Sequence, residues 1–374
     1  MENALYIHIP FCRRKCVYCD FYSAICDEGL ASAYVGALLR QIEALDGRFS
    51  TVYIGGGTPT VLDDRLLKKL LGGLKRLCAG NTEFTIEANP ESVDSDKLKL
   101  LLAFGVNRIS IGVQSLRDEL LKKLGRIHNA QKAREAIVFA VKAGFKNISA
   151  DIIFGVWGET PDSWKKEIRE AAELPIQHIS CYGLTYEKGT PLWNAVREGS
   201  IIPLEDDTTA AMYERAIDTL GVGGFRQYEV SNFAKEGFEC RHNLNYWENN
   251  DYIGLGASAV SYIGGSRDKF VSDVKEYTKR VESGRPVVES GEKLSPVNRA
   301  KETAAVKIRT RAGIDFKWFR EKTGFDFPEL EKRAVEKLIE DDIIKYIKEN
   351  NEPAGIALKR KGFLFCDTVS SALL

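Results

Sequence analysis

The stretch Leu5-Tyr-Ile-His-Ile-Pro-Phe-Cys12-Arg-Arg-Lys-Cys16-Val-Tyr-Cys19 contains the pattern on which the fold assignment depends. A short β-like run, residues 5–9, is followed at once by three cysteines with three and then two residues between them. Ligands of α/β proteins collect beyond the C-terminal ends of parallel strands. Three thiols directly after a first strand therefore predict a binding site at that edge of a sheet.

The first half of the chain alternates short β-like runs with longer amphipathic stretches. We predict strands at 5–9, 52–54, 84–87, 108–112, 148–154 and 178–182, and helices near 30–45, 64–77, 94–104, 130–143 and 163–174. Six strands that alternate with helices imply parallel βαβ units, in either an open sheet or an incomplete barrel.

The pattern changes after about residue 204. A helix at 205–220 precedes a region rich in glycine and aromatic residues. From about residue 295 we predict helices at 298–310, 315–322 and 329–340, strands at 343–347 and 355–358, and a final helix from 362, an order that resembles a winged helix. We therefore expect three regions, 1–204, 205–294 and 295–374.

Composition excludes several classes of protein. The 374 residues are 44% apolar and 28% charged, which is typical of a soluble globular chain. Lys+Arg and Asp+Glu both total 53, and this zero net charge argues against a nucleic-acid partner. The longest uncharged stretch, 252–266, is shorter than the roughly 20 residues of a membrane-spanning helix. The N-terminus lacks the layout of a signal peptide, so we expect a cytoplasmic protein with no integral membrane segment.

The eight cysteines are more informative. Three crowd into residues 12–19 and the rest are scattered, which is a poor layout for a disulfide scaffold. In a reducing compartment, the crowded three are candidate metal ligands. A cubane iron–sulfur cluster normally takes four thiolates, so three would leave one iron open to a small molecule. A zinc site, which usually has four ligands, and three unliganded thiols remain alternatives.

Other polar and flexible residues follow the next predicted strands. Gly55-Gly56-Gly57-Thr58-Pro59 comes after the second run, Glu87 ends the third, and Gln114 follows the fourth. Glycines allow a backbone to approach a ligand closely and to present N–H groups to it. An ordinary turn and solvated strand-end side chains are the alternative explanations.

The cysteine spacing after an N-terminal strand resembles the radical S-adenosylmethionine (SAM) superfamily. Tyr6-Ile-His-Ile-Pro-Phe, Asn107-Arg-Ile-Ser-Ile-Gly-Val-Gln114-Ser and Asp151-Ile-Ile-Phe-Gly are similar to its coproporphyrinogen III oxidase-like branch, through most of residues 4–262. The resemblance implies an α/β fold: an incomplete (β/α)6 radical SAM barrel, then a mixed α/β region and a small winged-helix-like C-terminal domain.

The same resemblance implies cofactors and the residues that hold them. Cys12, Cys16 and Cys19 would bind a [4Fe–4S] cluster whose open iron takes SAM. The matching SAM-site positions are Tyr6, Gly56, Gly57, Thr58, Glu87, Gln114, Arg126 and Asp151.

A second motif lies in the middle region. His242-Asn243-Leu-Asn-Tyr246-Trp247 resembles the heme-binding signature of the heme chaperones in this branch. Imidazole is a common axial ligand of heme iron, and Tyr or Trp rings can stack on a flat macrocycle. The alternative is a hydrogen-bonded histidine buried in an aromatic core.

The resemblance implies a heme chaperone rather than an enzyme, one that delivers heme to membrane-bound respiratory hemoproteins and forms a cluster-dependent homodimer. The alternative within porphyrin metabolism is an oxygen-independent coproporphyrinogen III dehydrogenase, which performs a radical oxidative decarboxylation. Enzymes of that class carry a fourth cysteine two residues after the third, whereas Phe21 occupies this position here. A radical SAM enzyme with an unrelated substrate is a third possibility, and it requires the His242 motif to be structural.

Overall fold

The computed structural model describes residues 4–374. Its first part contains eight strands: β1 (Ala4–Ile9), β2 (Phe11–Cys12), β3 (Ala24–Ile25), β4 (Phe49–Gly56), β5 (Cys78–Ala88), β6 (Arg108–Gln114), β7 (Asn147–Phe154) and β8 (His178–Gly183). The helices of this part are α1 (Glu28–Glu43), α2 (Asp64–Lys75), α3 (Ser95–Ala103), α4 (Asp118–Lys123), α5 (Ala130–Ala143), α6 (Pro161–Glu173) and α7 (Pro191–Arg197). Short 3-10 turns occupy Pro59–Val61 and Pro90–Ser92.

The remaining elements follow in two groups. The middle group is α8 (Asp206–Val222), β9 (Arg226–Gln227), β10 (Asn232–Ala234), α9 (Arg241–Trp247), β11 (Tyr252–Leu255), β12 (Val260–Ile263), β13 (Ser266–Phe270), α10 (Val274–Glu282) and β14 (Val288–Lys293). The last group is α11 (Pro296–Lys307), β15 (Ile314–Asp315), α12 (Phe316–Thr323), α13 (Phe327–Leu330), α14 (Lys332–Glu340), β16 (Ile344–Glu349), β17 (Glu352–Leu358), a 3-10 turn (Lys361–Phe365) and α15 (Cys366–Ala372).

Six parallel strands, in the order β1-β4-β5-β6-β7-β8, form the centre of a 12-stranded sheet. Their two outer strands do not pair with each other, because β1 also pairs with parallel β11 and β8 pairs with antiparallel β10. The barrel is therefore incomplete, and this confirms the predicted fold class. The six predicted strands are all present, and α4 and α7 are additional short helices that the sequence pattern did not indicate.

Local signals explain the boundaries of the helices. The predicted range of α5 matches the structure because both of its ends carry capping residues. The Asn129 side chain accepts a hydrogen bond from the backbone N–H of Lys132, which satisfies one of the unpaired donors of the first turn. The helix ends at Gly144, whose φ of 116° lies in the left-handed region that glycine adopts without strain.

The two faces of the central sheet differ in polarity. Apolar side chains on one face are fully buried under the helices; they include Ile54, Ile86, Ile109, Ile111 and Ile152. On the other face, polar side chains of neighbouring strands bond to each other. The pairs are Tyr53 with Glu87, Ser110 with Asp151, and Ser149 with His178. The interior of the barrel is therefore polar, and it suits a charged ligand better than an apolar one.

The middle group extends this sheet at both edges. Strands β11, β12, β13 and β14 continue it beyond β1, and β10 and β9 continue it beyond β8. The proposed boundary at 204/205 thus separates segments that share one sheet by hydrogen bonding. The three-region division itself stays a prediction, which limited proteolysis can test.

Helix α9 closes the N-terminal end of the barrel. The carboxylate of Glu83 accepts hydrogen bonds from the backbone N–H groups of Arg241 and His242, both at 3.1 Å, at the start of α9. Glu83 pairs in register with Thr51, which is opposite Ala4 at the beginning of β1. The helix therefore lies at the end of the strands opposite to the cysteines.

The C-terminal group has the predicted winged-helix-like order of helices followed by strands. Strands β15, β17 and β16 form a separate three-stranded sheet, and the predicted helix 329–340 is divided into α13 and α14. Helix α11 covers the region just after α9, where the amide of Asn249 donates to Glu302 at 3.2 Å and to Thr303 at 3.0 Å. None of the helices in residues 4–374 has the length and apolar character needed to cross a membrane.

Replacing Glu83 with alanine should loosen α9 from the barrel. The variant leaves two buried N–H groups without an acceptor, and an unsatisfied buried group costs roughly 1–3 kcal/mol, so the free energy of unfolding should fall by about 3 kcal/mol. Urea unfolding followed by circular dichroism measures this change. Glu43→Ala on the exposed surface of α1 is the control, and equal losses in both variants would contradict the role of Glu83.

Candidate functional site

A cavity of about 450 Å³ opens at the C-terminal ends of the central strands. Its lining includes all three predicted cluster cysteines and seven of the eight predicted SAM-site residues: Gly56, Gly57, Thr58, Glu87, Gln114, Arg126 and Asp151. A volume of this size is typical of small-molecule sites. Tyr6 does not line the cavity, because its hydroxyl is bonded to Nδ1 of His8 at 3.0 Å inside the barrel.

The cysteine loop is held by backbone hydrogen bonds. Strand β2 pairs with β3, and the N–H of Cys26 donates to the carbonyl of Cys12 at 3.0 Å. All eight cysteines are free, and Cys12, Cys16 and Cys19 are partly exposed to the cavity.

The three thiols fit a cluster better than a single ion. Within residues 4–374, no three or more Cys, His, Asp or Glu side chains converge as the ligands of one metal ion would. A zinc site requires such convergence, whereas the thiolates of a cubane bind separate irons and stand apart around it. The three thiols therefore fit the [4Fe–4S] cluster that the resemblance implies.

The glycine loop packs against the cysteine loop rather than offering free N–H groups to a ligand. The N–H groups of Gly57 and Thr58 donate to the carbonyls of Ile9 and Phe11, at 2.9 and 2.7 Å. A Cβ at Gly57 would lie 2.6 Å from the Phe11 carbonyl oxygen, so only glycine permits this approach. The N–H of Gly56 donates to Glu87 at 3.1 Å. The N–H groups of Gly56, Gly57 and Thr58 therefore have partners within the protein, and binding of SAM by this loop stays a prediction.

Two carboxyl groups give the cavity an acidic wall. Glu87 accepts hydrogen bonds from the hydroxyl of Tyr53 at 2.8 Å and from Gly56. Burial raises the pKa of Glu87 to about 7, and the nearby charge of Asp151 adds to this shift. Burial also raises the pKa of Asp151, although the hydroxyls of Ser180 and Ser110 partly oppose the effect. The wall can accept hydrogen bonds, and its negative charge depends on pH near neutrality.

Gln114 has an unusual backbone conformation at the end of β6. Its φ is 62°, which is uncommon outside glycine, and its side chain lies so close that a Cβ at Gly112 would be 2.8 Å from Nε2. The next turn is anchored by Glu167 of α6, which accepts from the Ser115 hydroxyl at 2.5 Å and the Leu116 N–H at 2.6 Å. Such strain is kept where surrounding contacts impose it, frequently at binding sites.

Asn89 is a site residue that sequence reasoning missed. It lines the cavity, and its side chain is bonded to both Thr58 and Arg126. Ser110 and Tyr182 also line the cavity, and neither was predicted. The position of Asn89, two residues after Glu87 at the end of a predicted strand, was the signal that could have identified it.

The residues of the second motif do not join this cavity. His242 is 1% exposed, and its ring nitrogens bond to the Thr51 hydroxyl at 2.8 Å and the Tyr246 hydroxyl at 2.9 Å. Burial lowers the pKa of His242 to about 3, with a further contribution from the positive charge of Arg108. The imidazole is therefore neutral, but neither nitrogen is free to bind iron in this conformation.

The neighbours of His242 on α9 are half-buried. The Trp247 ring lies 5.3 Å from the guanidinium of Arg309, and the Tyr246 ring meets that of Tyr252 edge-on at 4.7 Å. Asn243 is also half-buried. Thr51, which contacts His242, and Gly56, which lines the cavity, are five residues apart on β4. At about 3.3 Å per strand residue, the His242 motif and the cavity lie roughly 16 Å apart along the barrel.

Comparison with known proteins places this architecture in a family. The radical SAM superfamily matches residues 6–171. The heme chaperone HemW of Bacillus subtilis is 36% identical, and the match covers 100% of this chain and 99% of that protein. The chain belongs to the HemW family.

Other HemW relatives extend the match. HemW of Lactococcus lactis is 34% identical over 96% of this chain and 94% of its own length. HemW of Escherichia coli is 40% identical over 68% of this chain and 69% of its own length. The solved structure of coproporphyrinogen III oxidase (HemN) from Escherichia coli has a TM-score of 0.85, at 21% identity over 100% of this chain and 90% of that chain. This chain and HemN therefore share a fold.

Replacing Glu87 with glutamine should reduce the pH dependence of stability. An ordinary glutamate has a pKa of 4.5, whereas burial raises the pKa of Glu87 to about 7, so the folded chain holds more protons between these values. Its contribution to stability is present at low pH and is lost as the pH rises through about 7. Urea unfolding of both proteins at acidic and mildly alkaline pH measures the difference.

Glu43→Gln on the surface of α1 is the matched control for this comparison. If the Glu87→Gln variant loses stability with rising pH as steeply as the wild type, Glu87 does not titrate as described.

Proposed function

We propose that this chain is a heme chaperone that binds heme and delivers it to membrane-bound respiratory hemoproteins. The observation that carries the proposal is the match, along the whole chain, to HemW proteins described as heme chaperones. The His242-Asn243-x-x-Tyr246-Trp247 motif supports it, because it supplies an imidazole beside two aromatic rings.

In this proposal Cys12, Cys16 and Cys19 hold a [4Fe–4S] cluster whose remaining iron takes SAM. When bound, such a cluster supplies an electron to the sulfonium of SAM. The residues of the chain bind and orient the cofactor. Glu87 and Asp151 face a cavity in which their negative charge complements the ammonium and sulfonium groups, and Gln114 and Arg126 contribute hydrogen-bonding groups.

Heme binding through His242 requires a rearrangement. The imidazole must exchange its bonds to Thr51 and Tyr246 for a bond to iron, so α9 has to separate from the barrel end. Helix α11 of the C-terminal group contacts the segment after α9 through Asn249. We therefore propose that the C-terminal group controls the exposure of Asn243, Tyr246 and Trp247 to heme.

The remaining features of the proposal concern location and assembly. A cytoplasmic location suits the thiolates of the cluster, since they persist in a reducing compartment. Assembly of a homodimer that depends on the cluster is also proposed, with SAM acting in dimerisation or heme transfer.

The alternative function is an oxygen-independent coproporphyrinogen III dehydrogenase. A shared fold does not separate the two functions, so the argument rests on residue 21. Phe21 lines the mouth of the cavity, and 65% of its surface is exposed. The phenyl ring replaces the fourth thiol expected of that enzyme, which favours the chaperone.

One sample can decide between the two functions. The protein is reconstituted without oxygen with iron, sulfide and SAM, and is then titrated with hemin while the Soret band is followed. We expect stoichiometric heme binding and no decarboxylation of coproporphyrinogen III. Enzymatic turnover to protoporphyrinogen IX would overturn the chaperone function, as would the absence of heme binding.

Replacing Thr51 with valine should accelerate ligation of hemin iron by His242. The hydroxyl that holds Nδ1 is lost while the side-chain shape is kept, so opening of α9 becomes easier by about 1 kcal/mol, or roughly fivefold in rate. Stopped-flow absorbance in the Soret region measures the rate, which in the wild type should become independent of hemin concentration when opening limits it.

Thr278→Val is the control, since Thr278 is also a buried hydrogen-bonded threonine but lies on α10. Ligation that stays proportional to hemin concentration, or a Soret spectrum unchanged in His242→Ala, would contradict ligation through an opening of α9.

A further inference from the structure

A continuous chain of hydrogen bonds joins two of the cysteines through side chains of three different loops. The Thr58 hydroxyl donates to Sγ of Cys12 at 3.7 Å, and Nδ2 of Asn89 donates to Oγ1 of Thr58 at 2.8 Å. At the other end, Arg126 donates through Nη2 to Oδ1 of Asn89 at 2.5 Å and through Nη1 to Sγ of Cys16 at 3.3 Å.

The central amide determines the direction of every bond in this chain. Asn89 is the only one of the three linking residues that has both a donor and an acceptor fixed in one planar group. Its Nδ2 occupies a lone pair of the Thr58 oxygen, so the Thr58 proton is left for Cys12. Its Oδ1 receives Nη2 of Arg126, which turns Nη1 toward Cys16. Both sulfurs therefore face donors.

The position of Asn89 is itself fixed. Its backbone N–H donates to the Ser92 hydroxyl at 3.1 Å, and that hydroxyl donates to the Asn89 carbonyl at 2.8 Å. The Ser92 hydroxyl is bonded in addition to Thr60 at 2.6 Å. On the neighbouring strand β6, a Cβ at Gly112 would lie 2.8 Å from Oδ1 of Asn89, so the glycine makes room for the amide.

We propose that Asn89 is a positioning residue that holds Thr58 and Arg126 as hydrogen-bond donors to the thiolates of Cys12 and Cys16, and thereby raises the reduction potential of the cluster. The inference rests on the cluster assigned above to these cysteines. Donors to ligand sulfurs stabilise the more negative, reduced state, and groups outside the metal ligands also govern how firmly the metal is held.

Two substitutions of Asn89 remove different hydrogen bonds between the cysteines. Asn89→Ala removes both bonds of the amide, so Thr58 and Arg126 are no longer oriented. Asn89→Asp keeps the shape and the partner of Arg126, but a carboxylate only accepts, so the Thr58 hydroxyl turns to it and leaves Cys12. The added negative charge acts in the same direction on the potential.

Asn107→Ala is the matched control. Asn107 is also an asparagine with two hydrogen bonds, since it accepts from the Phe84 N–H at 2.9 Å and donates to the Thr82 carbonyl at 2.8 Å. It lies just before β6, at the end of the strands opposite to the cysteines.

The test is a redox titration of the reconstituted full chain, followed by electron paramagnetic resonance, together with the rate of iron release to a chelator. We expect both Asn89 variants to be harder to reduce by about tenfold in equilibrium constant, which is about 59 mV for a one-electron couple. Iron release should be faster in both, and Asn107→Ala should match the wild type. Loss of the cluster from folded Asn89 variants alone would equally support the role in positioning.

Asn89→Leu, which fills a similar volume without hydrogen-bonding groups or charge, decides the question if Asn89→Ala does not fold. Wild-type potential and iron retention in a folded Asn89 variant would overturn the inference. A wild-type chain that holds a cluster but no heme would overturn the chaperone function and leave this inference standing, whereas a wild-type chain that takes up no cluster would overturn both.

Discussion

The polar interior of an incomplete barrel is the constraint on which the rest of this structure depends. Buried polar groups are costly unless they are hydrogen-bonded, so the side chains that face inward have to find partners across the strands. Glu83 meets this requirement with the backbone N–H groups of α9, and Glu87 meets it with Tyr53 and Gly56. The first set of bonds closes one end of the barrel, and the second shapes the cavity at the other.

The same constraint gives the two ends different properties. At the cysteine end, the cavity is open, and Glu87 and Asp151 line it, where they can accept hydrogen bonds from a ligand. At the α9 end, His242 is enclosed by Thr51, Tyr246 and the stacked ring of Tyr53, whose centroid is 5.0 Å away. A histidine held this way is neutral, so one ring nitrogen keeps an in-plane lone pair, but both nitrogens are hydrogen-bonded within the protein. The motif proposed to bind heme and the cysteines proposed to hold the cluster therefore lie at opposite ends of the barrel.

Periodicity and motif spacing were sufficient to predict the parallel strands and to place the cysteines at one rim. They succeeded because parallel strands bring their C-terminal ends together whatever the loops between them contain. The environment of His242 could not be read in the same way, since its partner Thr51 is 191 positions away in the sequence. The sequence analysis missed Asn89 for a related reason. Its partners Thr58 and Arg126 lie on other loops, and only the fold brings them next to it. The glycine loop lines the cavity as predicted, but the acceptors of its N–H groups, Ile9, Phe11 and Glu87, come from three other strands.

Strand β14 forms one outer edge of the large sheet, and all six of its residues are exposed. An exposed edge strand can pair with another chain and seed aggregation, and charged side chains are a common protection. This strand carries Glu289, Glu292 and Lys293, and Glu292 is engaged by Arg267 at 2.7 Å. Addition of a further strand would have to desolvate these charges. The charges at this edge therefore disfavour growth of the sheet from one molecule into the next.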